Sequence, residues 1–169
     1  MAELTPKERL QPSLLDRLTD DEPDRTQESR ERRVLSPNRL RESVRRDLAW
    51  LLNNTHIAAT TDLTAYPEVE RSTVNFGLPD LSGKTSSTVD VPALEKAIRR
   101  AIWDFEPRLL RDSVRVRVLV DQQQMSHNSM SFVIEAELWA QPLPLRLFLK
   151  TDLDLETGKV SVTESSRTD

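Results

Sequence analysis

Three glutamates stand where side-chain chemistry could be sought: Glu106, Glu135 and Glu137. Glu106 sits in Trp103-Asp104-Phe105-Glu106-Pro107-Arg108, at the joint between a helical pattern and a run of strands. Glu135 and Glu137 are two apart and so share one face of a strand. Acid–base catalysis by paired carboxylates needs one of them held protonated, by burial or by a like charge. These glutamates have arginines for neighbours instead: Arg108 beside Glu106, and Arg115 and Arg117 on the strand expected to face Glu137 and Glu135. Opposite charge favours the ionised form, the wrong direction for a general acid. Other reactive types are scarce. The chain has no cysteine, which removes thiol catalysis and disulfides, and its two histidines, His56 and His127, lie in different segments without metal-ligand spacing. The glycines do not form a phosphate loop. No metal, cofactor or small-molecule substrate is expected.

The elements that position these carboxylates are legible from period. Leu94, Ala97, Ile98, Ala101, Ile102 and Phe105 recur at helical spacing, with Asp90 as N-cap and Pro92 close behind. Pro107 disfavours the α conformation at Glu106, so the helix should stop there and leave a carboxylate at its unfavourable C-terminal end. A nearby arginine or a partner must hold it. Val114, Val116, Val118 and Val120 then alternate with other residues, as in a half-buried strand. The charge pattern proposes a hairpin with Arg115 opposite Glu137, Arg117 opposite Glu135, Val114 opposite Leu138, Val116 opposite Ala136, Val118 opposite Ile134 and Val120 opposite Phe132.

The rest of the chain supplies the frame. Ser36 and Pro37 start a helix with Leu40, Val44, Leu48 and Leu51 on one stripe, ending at Asn53-Asn54-Thr55. A loop-rich stretch follows, with one helical turn near Pro67 to Ser72 and a turn at Asn75 to Asp80, where Gly77 should take a positive φ and Phe76 and Leu78 should pack inward. Lys84 to Thr88 and Gln122 to Ser129 read as polar, mobile loops. Leu143, Leu145, Leu147 and Leu149 alternate along a third strand, Glu156 to Lys159 form a tight turn, and Val160 and Val162 make a last strand with an open edge. The fold class is α+β, with helices on one face of a small antiparallel meander.

Residues 1–33 read as an appendage, 34–164 as the domain and 165–169 as a polar tail. Ser13 caps a short helix carrying Leu14, Leu15 and Leu18, and a charged tether from Thr19 to Arg33 follows, too polar to order itself. Such a helix either folds back on its own domain or docks on a neighbouring subunit. Net charge is −4, and the arginines of the first long helix are interleaved with acids, which argues against nucleic-acid binding. No apolar run is long enough to span a membrane, and the N-terminus has no signal core; a cytoplasmic protein is expected.

Three motifs in order give a resemblance that covers nearly the whole chain: Pro12-Ser13-Leu14-Leu15-Asp16-Arg17-Leu18, Val74-Asn75-Phe76-Gly77-Leu78-Pro79-Asp80, and Phe105-Glu106-Pro107-Arg108-Leu109. The sequence resembles the small baseplate-wedge family of contractile machines, the TssE subunit of type VI secretion and its counterpart in contractile-tailed phages. The resemblance implies a scaffold at a membrane-docked baseplate, with other wedge subunits and contractile sheath subunits as partners. It implies that Glu106, Pro107 and Arg108 make a charged contact with the wedge's helical core bundle, the alternative being an internal bridge. It further implies that Leu14, Leu15 and Leu18 meet wedge subunits, and that Val160, Ser161 and Val162 offer a strand edge to the sheath. Relatives have carried a lysozyme label, so a hydrolase acting on peptidoglycan is the alternative function.

Overall fold

The computed structural model describes residues 13–19, 23–24, 36–83, 88–119, 129–139 and 144–165. The expectations for the tether from 25 to 33, the loops at 84–87 and 121–128, Val120, Leu143 and the end of the tail lie outside these residues. The architecture is α+β. Helices α1 (Leu14–Leu18), α2 (Pro37–Leu52), α3 (Pro67–Glu70) and α4 (Val91–Phe105) precede strands β1 (Arg115–Leu119), β2 (Ser129–Leu138), β3 (Leu145–Asp154) and β4 (Val160–Glu164). The strands form one four-stranded antiparallel sheet in the order β1-β2-β3-β4.

Both long helices begin where their caps predict. Ser36 Oγ accepts from the Arg39 N–H at 3.3 Å with Pro37 at the first helical position, and Asp90 Oδ1 accepts from the Ala93 N–H at 3.0 Å. Each such cap contributes about 1 kcal/mol. α2 buries Leu40, Val44, Leu48 and Leu51, and α4 buries Leu94, Ile98, Ala101 and Ile102. These stripes meet the inner face of the sheet, where Phe132, Ile134, Leu147, Leu149 and Leu153 are fully buried. Each of these side chains contributes roughly 1.5–3 kcal/mol by leaving water. α2 lies along β4 and α4 along β1, so each helix guards one edge of the sheet.

The loop between α2 and α4 is pinned by close backbone approach. Leu78 N–H donates to Asn54 O at 2.8 Å and His56 N–H to Leu78 O at 3.0 Å. Gly77 between them has φ +134°, and a Cβ there would stand 2.3 Å from Asn54 O, so no side chain fits. Leu78 is buried, and Phe76 meets Phe105 edge-on at 5.3 Å between ring centroids.

The β1–β2 register differs from the charge-based expectation by two residues. Arg115 lies opposite Glu135, Val116 opposite Ile134, Arg117 opposite Val133 and Val118 opposite Phe132. The cause is the 3-10 turn Arg111–Ser113. Before it, Leu109 pairs with Leu138, with Leu110 N–H on Glu137 O at 2.9 Å and Trp139 N–H on Arg108 O at 2.8 Å. The turn then loops out three residues before pairing resumes at Arg115. A shift of two leaves every side chain on its own face, so alternation could not exclude it. Glu137 consequently faces Arg146 of β3 rather than Arg115.

Candidate partner-docking site

Pro107 ends α4 as expected: Glu106 closes the last turn through its N–H to Ile102 O at 2.9 Å and then leaves helical geometry at φ −123°. Its side chain is only 4% exposed. Arg108, two residues on, turns back over it. Glu106 Oε1 accepts from the Arg108 Nε–H at 2.7 Å and from its backbone N–H at 3.2 Å, while Oε2 accepts from Nη2 at 2.5 Å. The arginine that the sequence demanded for this carboxylate is therefore the nearest one, and the bridge is internal.

Arg108 also continues outward. Nη2 reaches Asp47 Oδ2 at 2.6 Å and Nη1 reaches Ser43 Oγ at 3.1 Å, both on α2, and the side chain keeps 25% of its surface in solvent. Burial alone would lower the pKa of this guanidinium. The hydrogen bonds and charge of Glu106, and then of Asp47, outweigh it and raise the pKa further above its ordinary value.

The same α2 face holds the N-terminal helix. Ser13 and Asp16 form a capping box on α1, with Ser13 Oγ donating to Asp16 Oδ2 at 2.7 Å. Asp16 is also the anchor: Oδ2 accepts from Ser43 Oγ at 2.8 Å, and Oδ1 accepts from Arg46 Nη1 at 2.6 Å. Arg46 in turn bonds Asp47 Oδ1 at 2.9 Å through Nε and lies over the Trp50 ring at 5.2 Å. Burial would raise the Asp16 pKa. Hydrogen bonds from Ser13, Arg46 and Ser43, with the Arg46 charge, instead hold it at about 2.

Two of the expected surfaces thus become one. Ser43 bonds both Asp16 and Arg108, so α1 and the Glu106-Pro107-Arg108 corner are tied to a single turn of α2. Sequence reasoning missed Ser43, Arg46 and Asp47 as members of this site. The available signal was Ser43 itself, a hydroxyl one residue before Val44 on the buried side of α2, with Arg46 and Asp47 on the same face one turn on. α1 uses its polar side for attachment, and its apolar side faces out: Leu14 is 71%, Leu15 41% and Leu18 74% exposed.

The third expected surface lies on the other flank of α2. β4 is an edge strand, but it is not open along its length. Asp154 N–H donates to Lys159 O at 2.9 Å and Ser165 N–H to Phe148 O at 2.9 Å, and the alternation of the ladder then turns the peptide groups of Ser161 and Thr163 toward β3. Those of Val160, Val162 and Glu164 face outward. Val160 N–H donates to Asn53 Oδ1 at 2.9 Å, and Asn53 Nδ2 donates back to Val160 O at 2.8 Å. Arg45 Nη1 donates to Val162 O at 3.3 Å. The expectation of an unpaired edge from Val160 onward is corrected at these groups, because the helix covering the sheet reaches round it. At the opposite edge, Glu95 of α4 accepts from Val118 N–H at 2.8 Å. Glu135 and Glu137 lie apart from both surfaces, on the open sheet face with Arg115 and Arg146.

Among the described residues no helix is long and apolar enough to cross a membrane, and no group of His, Asp and Glu is placed to hold a metal ion. No curated protein and no solved structure matches the chain. The family model of baseplate wedge protein gp25 matches residues 38–143, from α2 through the Glu106-Pro107-Arg108 corner to the β2–β3 connection, and leaves α1 and β4 outside the match. The chain belongs to the baseplate wedge protein gp25 family.

Proposed function

We propose that this protein is a structural component of a type VI secretion baseplate, in the cytoplasm beneath a docked membrane complex, where it binds neighbouring wedge subunits and starts assembly of the contractile sheath. Family membership supplies the baseplate role. The observation that carries the wedge contact is the attachment of α1 by Asp16 to Ser43 and Arg46, which leaves Leu14, Leu15 and Leu18 outward. An apolar helix face held rigidly in solvent suits a groove in a partner, because less ordering entropy is lost on binding. Pro107 fixes the neighbouring corner, and the exposed part of Arg108 adds a charge on the α2 turn that holds α1. Glu106, buried beneath it, acts in this reading by aiming Arg108 rather than by touching the partner.

Sheath nucleation is assigned to the β4 edge, with Val160, Ser161 and Val162 at its centre, because a strand at the rim of a sheet is a template for another strand. Co-purification with wedge subunits tests the first contact. Leu14→Asp with Leu18→Asp should abolish it while the circular dichroism spectrum and melting temperature of the domain stay as in the parent. Retained co-purification would remove α1 from the interface.

A further inference from the structure

β4 is partly closed before any partner arrives, and the meaning of that closure rests on the reading that a sheath strand adds to this edge. Asn53 is the C-cap of α2, and it is exposed. Its carboxamide presents a carbonyl to Val160 N–H at 2.9 Å and an N–H to Val160 O at 2.8 Å. One donor and one acceptor exchanged with the same residue is what a hydrogen-bonded partner across an antiparallel ladder supplies. Asn53 Nδ2 also reaches Ala49 O at 2.7 Å, so the amide plane is fixed from the helix side. Arg45, two turns earlier, occupies the next outward carbonyl, Val162 O.

We propose that Asn53, assisted by Arg45, is a gate on the strand-binding edge: its side chain occupies the ladder position of the incoming strand and must rotate away before that strand can pair with Val160. The arrangement suits a gate better than a permanent seal. A buried apolar plug would be costly to move, whereas an exposed amide exchanges one set of hydrogen bonds for another with water and peptide at hand. The gate protects the free subunit from pairing edge to edge with copies of itself, which unpaired strands invite. It also makes binding at β4 sensitive to the last turn of α2, whose middle turn carries Ser43, Arg46 and Asp47. Affinity for a strand is reduced by the fraction of molecules in which the gate is closed.

The full chain is compared with four variants. Asn53→Ala removes the gate, and Asn53→Gly does the same with no side chain at all. Asn54→Ala is the control, because Asn54 Nδ2 makes the equivalent bond to Trp50 O at 2.7 Å without touching β4. Amide exchange at Val160, read by NMR against Ile134 in the central strand, should rise about tenfold in either Asn53 variant, the loss of one net hydrogen bond, and stay as in the parent in Asn54→Ala. Purified sheath subunit should bind both Asn53 variants about tenfold tighter than the parent. Unchanged Val160 exchange in the variant that folds overturns the gate. Faster exchange with no gain in sheath binding also overturns it, provided Glu164→Pro, which removes an outward donor from the same edge, weakens that binding. If Glu164→Pro leaves sheath binding intact, the assignment of sheath nucleation to β4 is what fails.

Discussion

Asp16 and Arg46 meet at 2.6 Å across the junction of α1 and α2, and through this contact a five-residue helix is held to the domain by its polar side. The contact sets both where α1 sits and which way its leucines point. It also makes the docking of α1 an electrostatic property, open to pH.

Docking of α1 should therefore weaken in acid. The Asp16 carboxylate is held at about 2, below its ordinary value of 3.8, so the unfolded or undocked form binds its proton first. The resulting stabilisation is complete above about pH 4 and is lost as pH falls through the folded value near 2. Its size, reduced by the water that reaches this carboxylate, is on the order of 1 kcal/mol. Carboxyl NMR of Asp16 should give a midpoint near 2 in the parent and a higher one in Arg46→Ala, where the Ser13 and Ser43 hydrogen bonds remain, and α1 amides should lose protection as the carboxylate protonates. An Asp16 midpoint near 4 in the parent would contradict the anchor.

The corner should behave as a brace. Arg108→Ala strands a buried carboxylate and should cost about 3–5 kcal/mol, the range for breaking a buried charge pair. Glu106→Ala leaves Arg108 paired with Asp47 and should cost less. The double substitution should cost clearly less than the sum, because the charge stranded by Arg108→Ala is then gone. Urea unfolding measures all three. A melting temperature indifferent to both single changes would return the pair to the role of a pure partner contact.

No peptidoglycan turnover is expected from the purified protein. Glu106 has both oxygens occupied by Arg108, and Glu135 and Glu137 stand opposite Arg115 and Arg146. Release of soluble muropeptides that disappears in Glu106→Gln or Glu135→Gln would overturn the scaffold assignment.

Proline at the β4 edge should act by position. Ser161 directs its N–H to β3, so Ser161→Pro breaks the sheet from within and should destabilise the fold together with sheath growth. Glu164 directs its N–H outward, so Glu164→Pro should halt sheath polymerisation with little change in stability. Equal thermal losses in both would show that the edge cannot be separated from the core.

Much of this arrangement could be read from residues alone. Ser36-Pro37, Asp90 and Pro107 mark helix ends by local chemistry, and the alternation of Val116, Phe132, Ile134, Leu147 and Leu149 marks the buried sheet face. The β1–β2 register was not legible, because the turn at Arg111–Ser113 is selected by long-range bonds to Glu137 and Trp139 rather than by its own sequence. Glu106 and Arg108 were legible as a pair, since Pro107 forces the corner. Their tie to Asp16 was not, because Ser43 gains meaning only when two distant segments arrive at the same hydroxyl. Asn53 reads locally as a helix end and nothing more; its second role exists only where α2 runs beside β4.

The outward leucines of α1 have a consequence for the life of the protein in a cell. A copy with nothing over this face would carry an uncovered apolar handle of the kind on which chaperones and proteases act. If a wedge partner covers Leu14 and Leu18, as proposed, the lifetime of the subunit should follow the supply of that partner, with orphan copies removed and assembled ones persisting.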